Sequence, residues 1–242
     1  EMKNILLSLD DSKATGPDNI RAKLLRCCAP QICTSLCDVF NQSLKIGKIP
    51  TAWKTSNVIP IPKKAQLKDV SNYRPISLLS IVSKVFERCV YNRLIEHVSI
   101  NIHQLQFGFL RGKSAAAQLL QVLQEIGEML DKRVQIDLVY LDVAKAFDRV
   151  DYRLMLNKLK NFGISGTLLN WFEDYLSNRN QRVTVLGKTS HSLPVLSGVP
   201  QGSILGPLLF RLYVNDLPQA TSSSSIAIYA DDTKCYRPVR AL

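Results

Sequence analysis

Gln135-Ile136-Asp137-Leu138-Val139-Tyr140-Leu141-Asp142 is the stretch that decides the fold. Its apolar and β-branched residues predict a mostly buried strand, and it ends on a carboxylate. A second stretch answers it. Ile226-Ala227-Ile228-Tyr229-Ala230-Asp231-Asp232-Thr233-Lys234-Cys235-Tyr236 predicts a strand, an Asp-Asp turn and a returning strand. Side by side, the two strand ends put Asp142, Asp231 and Asp232 in one small volume. Three anions share such a volume stably only when cations neutralise them. Oxygen ligands without His or Cys favour Mg²⁺ or Mn²⁺ over zinc. Two such ions about 3.5–4 Å apart activate an attacking hydroxyl and stabilise a leaving pyrophosphate. An Asp-Asp pair alone decides nothing: Asp10-Asp11 follows Ser8-Leu9 with no hairpin pattern around it.

Outward from these strands, the periodicity predicts an α+β chain. Gly16-Pro17-Asp18 is a turn with Asp18 as the expected N-cap of a helix through Arg26. Pro30 opens a helix with Ile32, Leu36, Val39/Phe40 and Leu44 on one face. Ser56–Ile61 predicts a strand, and Ser80–Val98 and Lys113–Leu130 predict helices. Further helices are expected over Ala144–Asn161 and Gly166–Leu176, and strands over Gln181–Leu186 and Ser192–Ser197. Gln201–Val214 is expected to be helical after a Gly-Val-Pro-Gln-Gly turn.

Composition narrows the function classes. The 242 residues are 46% hydrophobic, which excludes disorder and collagen-like repeats. A net charge of +11 favours an anionic partner such as nucleic acid. The excess sits in Leu44–Arg93, where ten Lys/Arg face only Asp69 and Glu87; from Leu94 to Val150 six basic residues face seven acidic ones. A basic module leading into a carboxylate-bearing one suits a polyphosphate held near metals. No apolar run reaches the roughly 18 residues of a membrane span. There is no secretory signal, and Glu1-Met2 suggests a piece of something longer. The six cysteines have no metal-ligand spacing, so reduced, partly buried thiols are expected. No His stands in sequence near the carboxylates, which weighs against a metal nuclease of another fold.

Three strings carry a family resemblance. Leu141-Asp142-Val143-Ala144-Lys145-Ala146-Phe147-Asp148 resembles motif A of reverse transcriptases, Ser197-Gly198-Val199-Pro200-Gln201-Gly202-Ser203 through Pro207 resembles motif B, and Tyr229-Ala230-Asp231-Asp232 resembles motif C. Thr15-Gly16-Pro17-Asp18, Ser71-Asn72-Tyr73-Arg74-Pro75-Ile76-Ser77 and Gln106-Phe107-Gly108-Phe109 resemble upstream motifs of the non-LTR (LINE-like, jockey/CR1-type) retrotransposon enzymes. The similarity runs from Thr15 to Thr233.

The resemblance implies a right-hand polymerase of α+β class, with fingers and a palm whose antiparallel sheet is backed by helices. Residues 1–133 are expected to form the fingers side and 134–242 the palm. It implies RNA-directed DNA polymerase activity with an RNA template, a DNA primer and dNTP as partners. Asp142, Asp231 and Asp232 are then the catalytic, metal-binding aspartates, with the Val143 carbonyl assisting at Mg²⁺ or Mn²⁺. Lys63 and Arg74 correspond to the residues that grip the triphosphate, with Lys64 adjacent to Lys63 as an alternative. Phe147 falls at the steric gate against a ribose 2′-OH, Asp148 reads as structural, and Gln201 and Gly202 line the nucleotide side of the palm. Lys64, Arg111 and Lys113 are expected at nucleic acid. Ala115 departs from the family pattern, which has a hydroxyl there.

The chain ends ten residues after Asp232, so the motif D lysine, primer grip, thumb and endonuclease regions are expected in a parent polyprotein. The alternative is an inactive retroelement remnant that only binds nucleic acid. An intracellular location, nuclear or cytoplasmic, is expected from the resemblance alone.

Overall fold

Helices dominate the first hundred residues because apolar side chains recur there at three- and four-residue spacing. The computed structural model describes residues 1–63, 68–110, 112–221 and 223–239. Lys64 and Arg111 lie outside the described residues. In the first half, α1 (Met2–Leu7), α2 (Ala22–Cys27) and α3 (Ala29–Ile46) precede β1 (Thr55–Pro62), β2 (Tyr73–Leu78), α4 (Ile81–Val98) and α5 (Ala115–Asp131). The second half runs through β3 (Ile136–Asp142), α6 (Tyr152–Asn161), α7 (Gly166–Leu176), β4 (Arg179–Val185), β5 (Lys188–Thr189) and β6 (Leu193–Val195). It closes with α8 (Gly206–Tyr213), β7 (Ser225–Tyr229) and β8 (Asp232–Pro238).

Two sheets result. The first has the order β2-β1-β4-β5, with β6 also on β4; β1 pairs antiparallel with β2 and parallel with β4. The second is antiparallel with the order β3-β8-β7. One hydrophobic core reaches from Met2 to Leu212 and draws on both sides of residue 133. Its centre is a ring stack. Phe40 of α3 lies on Phe86 of α4 at 4.3 Å, Phe86 meets Trp171 of α7 edge-on at 5.2 Å, and Trp171 stacks on Tyr175 at 5.4 Å. Each pair contributes about 0.5–1.5 kcal/mol beyond burial. Trp171 Nε1 donates to Ser43 Oγ at 3.1 Å, so the polar handle is satisfied inside the core.

Part of the basic excess is used internally. Asp174 of α7 is buried and accepts Lys54 Nζ at 2.8 Å, Lys48 Nζ at 3.1 Å and the Ile49 N–H at 2.8 Å. Burial works against its charge, but these donors outweigh it and hold the carboxyl below the usual range. All six cysteines are free thiols, and burial pushes Cys89 up to about 11.

Several expectations are corrected. β3 is exposed, not mostly buried: Val139 is 51% and Tyr140 66% exposed. Among the described residues it is an edge strand with a ladder neighbour on one side, and α5 packs on the sheet through Val122 against Ala227 and Tyr236, with Ile136 of β3 at the margin of that cluster. Asp18 does not cap α2, which begins after Arg21; its carboxylate takes the Ile20 N–H at 3.2 Å and the Ser80 hydroxyl at 2.5 Å. The helix expected from Ala144 is interrupted. Lys145 is left-handed at φ +55°, Ala146–Arg149 is a 3₁₀ turn, and Asp151 caps α6 by accepting the Leu154 N–H at 2.8 Å. The segment from Gln201 stays a turn until Gly206, with Pro207 in the first turn of α8.

Candidate active site

The β3–β8 register sets Asp142 directly opposite Asp232. The turn between β7 and β8 is Ala230-Asp231, with Tyr229 paired to Asp232, so Asp232 is already the first strand residue. Ala230 takes φ +57°, a left-handed conformation that costs a residue with a Cβ roughly 1–2 kcal/mol. Backbone packing braces that tip. The Phe107 N–H donates to Ile228 O at 2.9 Å and the Ile228 N–H to Leu105 O at 3.1 Å, so Gln106-Phe107 runs along the outer edge of β7. Gly108 then lies so close to the tip that a Cβ there would stand 2.4 Å from Ala230 N.

These carboxylates open into a cleft of about 780 Å³. Its lining combines the acidic Asp142, Asp231 and Asp232, with Val143, and the basic Lys63, Arg74 and Lys145. Phe147 and Asp148 form part of the wall, and Gln201 and Gly202 the floor. The floor is tied to the β2-β1-β4-β5 sheet: the Ser77 N–H of β2 donates to Gln201 O at 2.7 Å. Gly202, at φ +114°, is needed for that approach, since a Cβ would stand 2.6 Å from Ser77 O. Another cavity, about 620 Å³ among α1, α3, α4 and α7, is mostly apolar and holds none of the candidate site residues.

Electrostatics follow the same division. Among the described residues none of the three aspartates makes a side-chain hydrogen bond or an ion pair. Asp148 is held above the usual carboxylate range by burial, against the opposing charges of Lys145 and Lys63 and a 3.4 Å contact from Gln201 Nε2. The Phe147 ring is fixed on two sides, stacked on Phe210 at 4.4 Å and edge-on to Phe109 at 6.2 Å.

Lys113 is not in this cleft. Its ammonium donates to the Gln104 carbonyl and, at 3.1 Å, to Gln106 O, and lies 4.4 Å from the Phe107 ring centroid. It fastens the segment that braces the hairpin. The sequence reading missed Ser71, Tyr73 and Lys145 as cleft residues, although each lies inside a quoted motif string.

Among the described residues no group of three or more His, Cys, Asp or Glu side chains converges tightly enough to hold a metal by itself. That geometry suits Mg²⁺, which binds through one or two carboxylates and takes its remaining ligands from water and substrate phosphates. The donor set is oxygen only, and Asp142 and Asp232 stand opposite each other in the ladder without an ion-pair partner among the described residues. The residues therefore fit a hard divalent ion.

Residues 61–238 match the family described as reverse transcriptase (RNA-dependent DNA polymerase). The chain is 35% identical over 243 residues to the RNA-directed DNA polymerase from mobile element jockey of Drosophila melanogaster, a match covering 96% of this chain and 26% of that protein. It is 32% identical over 239 residues to the probable RNA-directed DNA polymerase from transposon X-element of the same fly, again covering 96% and 26%. The chain thus spans about a quarter of the length of these curated relatives. In three dimensions it resembles apo telomerase from Candida tropicalis, truncated from its C-terminal domain. The TM-score is 0.55 at 13% identity, over 76% of this chain and 44% of that one.

Proposed function

Because the chain belongs to the reverse transcriptase (RNA-dependent DNA polymerase) family, we propose that it supplies fingers and palm to a mobile-element polymerase that adds dNTPs to a primer 3′-OH on an RNA template. The observation that carries this reading is one cleft lined by Asp142, Asp231 and Asp232 together with Lys63 and Arg74.

Each side chain then has a task. Lys63 gives a compact charge and Arg74 a two-pronged fork, and both bind the triphosphate oxygens. Phe147 excludes a ribose 2′-OH by occupying its volume, and Gln201 with Gly202 presents a flat floor to the base and sugar. Asp142, Asp231, Asp232 and the Val143 carbonyl would hold Mg²⁺ or Mn²⁺, which lowers the pKa of the attacking hydroxyl and stabilises the leaving pyrophosphate. Most of the rate enhancement then comes from positioning and electrostatics. Residues 1–133 serve as the fingers side and 134–242 as the palm, with Lys64, Arg111 and Lys113 on the nucleic-acid side. Thumb and endonuclease regions belong to the longer parent protein. Among the described residues no helix is long and apolar enough to cross a membrane; we place the polymerase inside the cell, in nucleus or cytoplasm.

The test is primer extension on an annealed RNA template with Mg²⁺ or Mn²⁺, using this chain alone and within a longer polymerase, each with and without Asp231→Asn. Nucleotide addition by wild type and its loss in the variant support the reading. RNA binding in low salt with no extension by any form would replace it with a nucleic-acid-binding remnant.

A further inference from the structure

Helix α4 passes behind the floor of the cleft and carries a buried carboxylate there, Glu87 at 1% exposure. Its Oε2 accepts the Ile204 N–H at 2.7 Å and the Leu205 N–H at 3.2 Å. These are the amides between the Gln201-Gly202 floor and the first residue of α8. Oε1 has no hydrogen-bond partner. Tyr175 of α7 lies buried beside Glu87 and Ser203; burial holds the Glu87 carboxyl above the usual range, against the Leu205 and Ile204 amides and the charges of Arg179 and Lys84.

Burying a carboxyl group with one oxygen unpaired costs stability, and an apolar side chain would fill the same space at lower cost. What the contact does achieve is positional. The turn hangs between two supports, with the Ser77 N–H of β2 donating to Gln201 O at 2.7 Å and Glu87 of α4 accepting the Ile204 and Leu205 amides. Within the turn, Ser203 Oγ donates to Pro200 O at 2.8 Å and accepts the Gly206 N–H at 2.9 Å, which makes the loop a stiff unit. Moving the carboxylate therefore moves the floor as a body.

We propose that Glu87 is a positioning residue for the incoming nucleotide, setting the height of Gln201 and Gly202 through the amides of Ile204 and Leu205. The inference rests on the polymerase reading above and extends it to a residue that never touches substrate. Glu87→Asp keeps the charge but retracts it by one methylene. Glu87→Gln keeps the length and an acceptor oxygen.

The experiment measures kcat, KM for dNTP and primer–template Kd in the active polymerase, with amide hydrogen exchange over residues 199–206 of this chain. Glu87→Asp should raise KM for dNTP about tenfold, the scale of a sub-ångström misplacement, leave primer–template Kd within about twofold, and speed exchange at Ile204 and Leu205. Glu87→Gln should restore most of the KM and the protection. Faster exchange in Glu87→Asp with KM unchanged would reduce Glu87 to a helix cap and overturn the inference. Equal rises in KM and primer–template Kd would overturn it as well. A wild type that adds no nucleotide removes the polymerase reading and this inference with it, an outcome distinct from an active wild type with an indifferent variant.

Discussion

Asp142 and Asp232 stand directly opposite each other in the β3–β8 ladder, and among the described residues neither carboxylate has an ion-pair partner. Like charges placed so across a sheet destabilise it by about 0.2–1 kcal/mol. A divalent cation reverses the sign. Wild type should gain thermal stability with Mg²⁺ or Mn²⁺, about 1.4 kcal/mol at ten times the dissociation constant. Asp232→Asn should melt slightly higher than wild type without metal and gain much less from adding it. A wild-type Tm indifferent to millimolar Mg²⁺ and Mn²⁺ would remove the metal from this site.

The ring column Phe109–Phe147–Phe210 makes a second prediction about substrate choice. Phe147 is held by Phe210 behind it and Phe109 beside it, so its edge cannot swing away from a bulky sugar. Phe147→Ala should raise the relative use of rNTP over dNTP by roughly 10- to 100-fold, the range that small shape differences in a pocket command. Phe210→Leu leaves the gate ring in place but frees it, and should fall between. Competition between labelled dNTP and rNTP measures this. Unchanged discrimination in Phe147→Ala would remove it as the gate.

Acid should loosen the junction of α7 with the start of β1 before it affects the ring stack. Asp174 titrates below its ordinary value when folded, so the stability it adds is present above the unfolded carboxylate pKa of about 3.9 and is lost as pH falls through the folded one. At neutral pH Asp174→Ala should cost about 3–5 kcal/mol, because Lys54 is left buried and unpaired. Lys54→Met together with Asp174→Leu should recover much of that loss. Urea unfolding of the three forms between pH 3 and pH 7 decides, and a single variant as stable as wild type would show the pair to be idle.

Much of the cleft was legible because its residues lie in short strings whose local geometry does the placing. Asp142 closes a strand, and the Tyr229–Asp232 pair closes a hairpin around a two-residue turn. What escaped was whatever depends on a distant partner. An apolar run such as Leu138–Leu141 reads the same in a covered strand and in an edge strand, because periodicity does not record what lies across the ladder. Lys48 and Lys54 look like solvated charge until Asp174 arrives from α7, more than a hundred residues away. Glu87 on an otherwise amphipathic helix looks like its wet face, and only the folded chain brings Ile204 and Leu205 to it.

Gly108 offers the sharpest test of how the Asp231-Asp232 hairpin is held. A Cβ there would stand 2.4 Å from Ala230 N and 3.0 Å from Ala230 Cα, and both are backbone atoms with no flexible end to yield. Gly108→Ala must therefore push the Ala230-Asp231 turn away from the Gln106–Phe107 segment or break the bonds to Ile228 and Leu105. Overpacking of this kind costs about 1–3 kcal/mol. The displacement should cost more in function than in stability, since misplacing a reactive group by an ångström can lower the rate about 100-fold. Gly127→Ala is the control: it lies within α5 with nothing inside 4 Å of an added Cβ. It should stabilise the helix by about 0.5–1 kcal/mol and leave activity alone. The expected pattern is a modest drop in Tm for Gly108→Ala, loss of the Mg²⁺-dependent gain, and near-complete loss of primer extension. If Gly108→Ala keeps the metal response and the rate, the hairpin does not depend on that close approach, and the bracing role of the Gln106–Phe109 segment falls with it.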